Sequence, residues 1–194
     1  KNPISKSLCF FGLEPVNFVT GAMNFSWDDF ELFGERTIRW TSAWQSDITY
    51  SGIMGNGVIC NYDLFIIPQE ADGVAAYNNP DENQVFPIPM PEIGGKEEYY
   101  RSLKLWQHRP NKSRWIIRTE TEIRTYRAFP DEEYGTVYLA ERIDYVDGSF
   151  LLLDYSGRKH LLSTIKDHLG RLIIFGQDEE RGLIRSAMYK HGDV

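Results

Sequence analysis

The sequence predicts an all-β protein of antiparallel sheets and hairpin turns, its C-terminal third a strand–turn repeat. Three observations carry that reading. Asp154-Tyr155-Ser156-Gly157-Arg158, Asp167-His168-Leu169-Gly170-Arg171 and Asp178-Glu179-Glu180-Arg181-Gly182 recur with glycines 13 and 12 residues apart. Asp bonds its own backbone two residues on, and Gly accepts a positive φ without a Cβ clash, so both suit tight turns. Between these turns, Leu161-Leu162-Ser163-Thr164-Ile165 and Leu172-Ile173-Ile174-Phe175 have strand length and composition. Finally, aromatic residues make up 14% of the chain, and no long stretch carries the 3.6-residue apolar stripe of an amphipathic helix.

Composition bounds the partners. With 194 residues, 42% hydrophobic and 25% charged, the chain is long enough for one domain with a sizeable core. Its net charge of −7, without a basic block, argues against nucleic acid and anionic membrane as partners. No apolar run approaches the ~20 residues of a membrane-spanning helix, so membrane insertion by this segment is not expected. Cys9 and Cys60 lie far apart among apolar or aromatic neighbours and read as buried free thiols, although sequence leaves their pairing open. The chain opens Lys-Asn-Pro-Ile, and the expectation is a piece excised from something longer.

Along the chain, residues 1–24 read as a lead-in with short strands at 8–11 and 16–21. Residues 25–145 read as a β domain. Within it, Ile38, Trp40 and Trp44 share one strand face with Arg39 and Thr41 opposite, and 58–67 reads as one strand stopped by Pro68. Residues 68–100 form a proline-rich insertion. In Phe86-Pro87-Ile88-Pro89-Met90-Pro91 every second residue lacks an N–H, which excludes a central strand and leaves an edge or a polyproline strap. Residues 96–105 fit either a helical turn or a strand. Strands follow at 115–118, 121–129, 137–143 and 150–155, and residues 146–194 hold the first repeats.

The order Pro15-Val16-Asn17-Phe18-Val19-Thr20-Gly21, Asp29-Phe30-Glu31-Leu32, Ile38-Arg39-Trp40-Thr41, Gly55-Asn56-Gly57 and Tyr62-Asp63 resembles the N-terminal end of the Rhs and YD-repeat proteins. The Gly157-Arg158 and Gly170-Arg171-Leu172 turns look like the Gly-Arg-Leu core of the YD repeat. The resemblance implies a wall function. Relatives of the insecticidal toxin-complex shells wind strand–turn repeats into a hollow β cocoon around a C-terminal toxin, which is delivered through a contractile or related export apparatus. The expected partners are then the rest of the same shell polypeptide, its toxin cargo and the secretion apparatus. The protein would be made in the bacterial cytoplasm and exported or held at the cell surface. Nothing in the chain matches the family's aspartyl autoproteolytic motif.

No catalytic, cofactor-binding or metal site is expected. Asp28, Asp29 and Glu31 beside Trp27 and Phe30 suit a glycosidase dyad only if two carboxyls flank a sugar; on a regular strand Asp29 and Glu31 share a face and Asp28 takes the other. Glu120 and Glu122 read as charge pairs of Arg118 and Arg124. Gly52, Gly55 and Gly57 read as hairpin glycines, since no helix follows to hold an anion. His160 and His168 would need to meet across neighbouring strands to hold a metal. Trp40, Trp44, Trp106 and Trp115 define the chief alternative, a carbohydrate-binding β-sandwich with an aromatic platform. Asp154, Gly157, Arg158, Asp167, Gly170, Arg171 and Gly182 are the expected structural turn residues, with the arginines pairing to acids on adjacent turns.

Overall fold

The computed structural model describes residues 23–46, 50–79 and 84–190. Strand pairing in it is antiparallel throughout, so the all-β expectation holds. The chain divides after Asp63 into two compact units, with residues 64–79 and those from Gln84 onward in the second. The expected strands at 8–11 and 16–21, with Thr20, Gly21 and Cys9, lie outside the described residues.

In the first unit β1 (Asn24–Leu32) pairs with β2 (Ile38–Gln45). The period-two pattern of β2 does what alternation requires: Ile38 and Trp40 are buried and Arg39 is exposed. Trp40 packs between Phe30 and Tyr62, with ring centroids at 5.9 and 5.4 Å. A hairpin of β3 (Ser51–Gly52) and β4 (Gly55–Asn56) closes through Ile53 and Met54, and β5 (Val58–Cys60) returns to pair with β2. Gly55 and Gly57 have φ of 113° and 70°, which a side chain rarely adopts, so both serve as hairpin glycines.

The strand expected over 58–67 is two strands. Asn61 ends β5 by substituting its amide for a ladder partner: Oδ1 accepts from the Thr41 N–H at 3.0 Å and Nδ2 donates to the Arg39 carbonyl at 2.8 Å. The chain resumes as β6 (Phe65–Gln69), in which Pro68 is an interior residue aligned with Ala75.

In the second unit β6 continues into β7 (Val74–Asn79) and β8 (Gln84–Pro89), and the proline-rich insertion is thus sheet. The undecided 96–105 segment is both things: β9 (Glu98–Tyr100), then a single 3₁₀ turn over Arg101–Leu103. A meander follows through β10 (Leu105–Asn111), β11 (Arg114–Arg118), β12 (Glu122–Asp131), β13 (Gly135–Tyr145), β14 (Phe150–Ser156), β15 (Leu161–Asp167), β16 (Leu172–Asp178) and β17 (Leu183–Lys190). From β9 to β17 each strand pairs with the next along the chain.

The sheet forks at β13. Tyr138 and Leu139 align with Ile66 and Phe65 of β6, whereas Arg142, Ile143 and Asp144 align with Leu152, Leu151 and Phe150 of β14. Between these stretches Glu141 is a bulge against β12, since Ala140 faces Tyr126 and Arg142 faces Thr125. A bulge bends and twists its strand, which lets β13 serve two branches. The boundary expected at residue 145 therefore falls inside one continuous sheet. Its buried face carries Trp115, Ile117, Tyr126, Ile143, Leu151, Leu153, Ile165 and Ile173, with Ile66, Ala75, Tyr77 and Ile88 contributed by the β6–β8 branch.

Candidate functional site

Two of the three repeat turns, β14–β15 and β16–β17, lie side by side, and the β15–β16 turn lies at the other end of the sheet. The β14–β15 turn starts at Gly157 (φ 73°) and ends at His160 (φ 49°), and the β16–β17 turn ends at Gly182 (φ 73°). Lys159 reaches across to donate to the Glu180 carbonyl at 2.7 Å, and Gln177 donates to the Leu161 and Leu162 carbonyls at 2.9 and 3.0 Å. On its other flank the β14–β15 turn meets the β12–β13 hairpin: Arg158 donates to Glu132 at 2.8 Å, and His160 Nε2 lies 2.8 Å from the Pro130 carbonyl. The glycines make this stacking fit. A Cβ on Gly157 would stand 2.8 Å from the Glu179 carboxylate, and one on Gly182 3.0 Å from Lys159.

Of the expected turn acids, Asp167 and Asp178 cap their turns and Asp154 does not. Asp167 accepts from the Leu169 and Arg171 N–H groups at 3.0 and 2.8 Å, and its Oδ2 pairs with Arg171 Nε at 2.6 Å. Gly170 closes that turn with φ of 81°. Asp178 accepts from the Arg181 N–H at 3.1 Å, and this bond with Arg185 holds its carboxyl below the usual range. Asp154 sits inside β14 opposite Thr164, because the loop after it begins only at Gly157. The expected pairing between turns holds for Arg158, which is exposed. Arg171 instead pairs within its own turn and is buried with Asp167.

In the first unit Asp63 is the site that matters chemically. Its side chain is buried, yet it accepts from the Tyr50 hydroxyl at 2.5 Å and the Ile53 N–H at 3.4 Å, which ties the β3–β4 hairpin to the turn after β5. A Cβ on Gly52 would overlap the Asp63 carboxylate and the Tyr50 ring, so the glycine admits the bond. Burial lifts the Asp63 carboxyl to about 6, against the lowering effect of these two donors. Neighbouring Cys60 is a buried free thiol, pushed up by burial and by Asp63.

The carboxylates beside Trp27 do not fall as a regular strand would place them. A bulge at Asp29 makes Asp28 face Thr41 and Phe30 face Trp40. Asp29 therefore joins the Trp27–Phe30 face, accepting from the Trp27 indole at 2.9 Å and the Ser42 hydroxyl at 2.5 Å, while Glu31 pairs with Arg39 on the other. Asp28 and Glu31 share a face, and Asp29 is alone. Glu122 is bonded to Arg124, which also donates to the Tyr77 hydroxyl at 2.8 Å; both are interior groups that packing explains. Sequence reading missed this ion pair's burial, since nothing in Glu-Ile-Arg marks which face turns inward. His160 and His168 sit at opposite ends of β15. Among the described residues no three His, Cys, Asp or Glu side chains are placed to hold a metal.

Trp40 and Trp115 are 2% and 0% exposed and belong to the core. Trp106 is flanked by Tyr99 at 4.7 Å and by the Arg118 guanidinium at 4.3 Å, itself bound to Glu97. Trp40 and Trp115, being buried, take no part in an exposed aromatic platform.

Residues 13–86 match the family described as a domain of unknown function, DUF6531. The matched segment runs from before β1 to Phe86 in β8, so it takes in the whole described first unit, β6, β7 and the first half of β8. Asp29, Phe30, Glu31, Leu32, Trp40, Gly55, Gly57, Tyr62 and Asp63 all lie inside it. No curated protein matches the chain. No helix among the described residues is long and apolar enough to cross a membrane.

Proposed function

We propose that this chain is a structural segment of an Rhs/YD-repeat shell, whose sheet encloses a C-terminal toxin for delivery in competition with other bacteria or against a host. The observation that carries this reading is the turn stack. At one end of the sheet the β14–β15 turn rests on the β12–β13 hairpin and the β16–β17 turn on the β14–β15 turn, so strand–turn units add along a single direction without needing a separate core. The DUF6531 match supports it, because that family is often found in Rhs and YD-repeat proteins. The Gly-Arg turns at 157–158 and 170–171 supply the repeat element. In this reading the segment is not an enzyme and needs no cofactor. Its partners are the remaining shell polypeptide, the toxin and the export apparatus.

The work done is mechanical: backbone ladders and a buried aromatic face make a continuous wall, and turn side chains hold successive hairpins in register. The test is cryo-electron microscopy of the complete polypeptide encoded by the parent gene. The expected result is a β14–β17-like ladder continuing past β17 around an enclosed polypeptide. A complete chain in which no further strand pairs with β17, and nothing is enclosed, overturns the proposal. A glycan array with Trp44→Ala and Trp106→Ala controls tests the carbohydrate-binding alternative, which predicts signal that those substitutions abolish.

A further inference from the structure

The β8 strand runs Gln84-Val85-Phe86-Pro87-Ile88-Pro89, and Met90-Pro91 follow. Its pairing aligns Phe86 with Tyr77 and Ile88 with Ala75, and one residue beyond, the Met90 N–H donates to the Gly73 carbonyl at 3.1 Å. Backbone polar groups of successive strand residues point to opposite edges. With Met90 directed at the β7 side, residues 86 and 88 point there as well, and 87 and 89 point away. Those two positions are prolines. The period of the prolines within the strand therefore coincides with the period of the strand, and the outward edge has no N–H at 87 or 89.

Among the described residues β8 pairs only with β7. Its outward carbonyl at Pro89 is already used, accepting from Gln107 Nε2 at 2.9 Å. Pro87 and Pro89 are exposed while Ile88 between them is 0% exposed, so packing of the side chains does not account for proline at both positions. Read without its prolines, Val-Phe-x-Ile-x-Met is an apolar, uncharged strand at a sheet edge, the composition that recruits another copy of itself. The two strands that end the main path of the sheet, β9 and β17, contain no proline.

We infer that Pro87 and Pro89 are a built-in block that closes the β8 edge to strand addition by a second copy of this chain. The inference stands on β8 itself and does not depend on the shell reading.

The test compares the chain with its Pro87→Thr/Pro89→Thr variant, in which threonine restores both N–H groups and suits a strand. Mass is followed by light scattering over a roughly hundred-fold concentration range, with hydrogen exchange read by peptide. The expected result is association of the variant with concentration, and exchange over 84–90 slowed roughly ten-fold in the associated form. The unsubstituted chain is expected to gain no protection there at any concentration, whatever β17 does. A variant that melts like the parent yet associates no more than it does overturns the inference. So does association without protection over 84–90, or protection there in the parent. Pro87→Thr alone, remote from the Gln107 bond, is the second arm should the double variant not fold, and its expected outcome is the same in direction.

Discussion

Tyr155 donates its hydroxyl to the Ala140 carbonyl at 2.8 Å, at the place where β13 leaves β6 and takes up β14. A forked strand has a gap in its ladder there, and Ala140 is 0% exposed, so a side chain must satisfy what no strand can. Tyr155→Phe keeps the edge-on packing against Phe129 at 5.6 Å and strands the carbonyl. The expected cost is about 1–2 kcal/mol in urea unfolding. Hydrogen exchange should quicken first around 138–141, before the β16–β17 hairpin.

Asp167 and Arg171 form the ion pair that the repeat hides most completely, with side chains 1% and 8% exposed. Removing one partner leaves the other charge buried and two turn N–H groups unmet. Asp167→Ala is expected to cost about 3–5 kcal/mol. Arg171→Lys should recover little of it, because an ammonium does not reproduce the Nε contact. Denaturant midpoints of the two variants measure this, and a lysine variant as stable as the parent refutes the role of the guanidinium.

Two glycines of the repeat separate conformational strain from crowding. Both have positive φ, but a Cβ meets nothing within 4 Å at Gly170 and the Glu179 carboxylate at 2.8 Å at Gly157. Gly170→Ala is expected to cost about 1 kcal/mol, from backbone strain alone, and Gly170→Val more. Gly157→Ala should cost more than Gly170→Ala, and Glu179→Ala added to it should remove the excess. Thermal melts of the four variants decide it; equal costs at both glycines would mean that the turns do not stack.

Asp63 predicts a pH dependence of defined sign. Its carboxyl titrates at about 6 in the folded chain against an ordinary 3.8, so the folded state holds the proton more tightly. Protonation therefore favours folding. The contribution is full below about pH 4, declines as pH rises towards 6, and is absent above, a span of about 3 kcal/mol. Asp63→Asn, which still accepts from Tyr50 and Ile53, should flatten this slope and stabilise the chain at neutral pH. Stability curves of parent and variant between pH 4 and 8 measure the difference, and parallel curves rule the mechanism out.

Legibility in the sequence followed the signals that are local. Alternation over Ile38–Trp40 and the glycines at 157, 170 and 182 mark strands and turns because their requirements are met within a few residues of chain. The prolines of 87–91 exclude a central strand for the same reason, since a missing N–H rules out two paired neighbours, and the pairing with β7 decides for an edge strand over a strap. Bulges leave no such trace. One extra residue at Asp29 reassigned the faces of Asp28 and Glu31, and one at Glu141 let β13 pair with two branches. Neither breaks a composition pattern, since only the partner strand shows that a residue has been skipped. Asp154 was misplaced by the same blindness, being spaced like Asp167 but three residues ahead of a turn that begins at its glycine.

The all-β class, most strand positions and the glycine turns were readable from the residues alone, and the prolines narrowed their run to an edge or a strap, because dihedral preference, alternation and donor loss act at short range. The tertiary structure decided the fork at β13, the burial of Asp63, Glu122–Arg124 and Asp167–Arg171, and the loss of Trp40 and Trp115 to the core. Those outcomes depend on which distant strands exclude water from a given face, and that is set by pairing across the sheet rather than by neighbours in the chain.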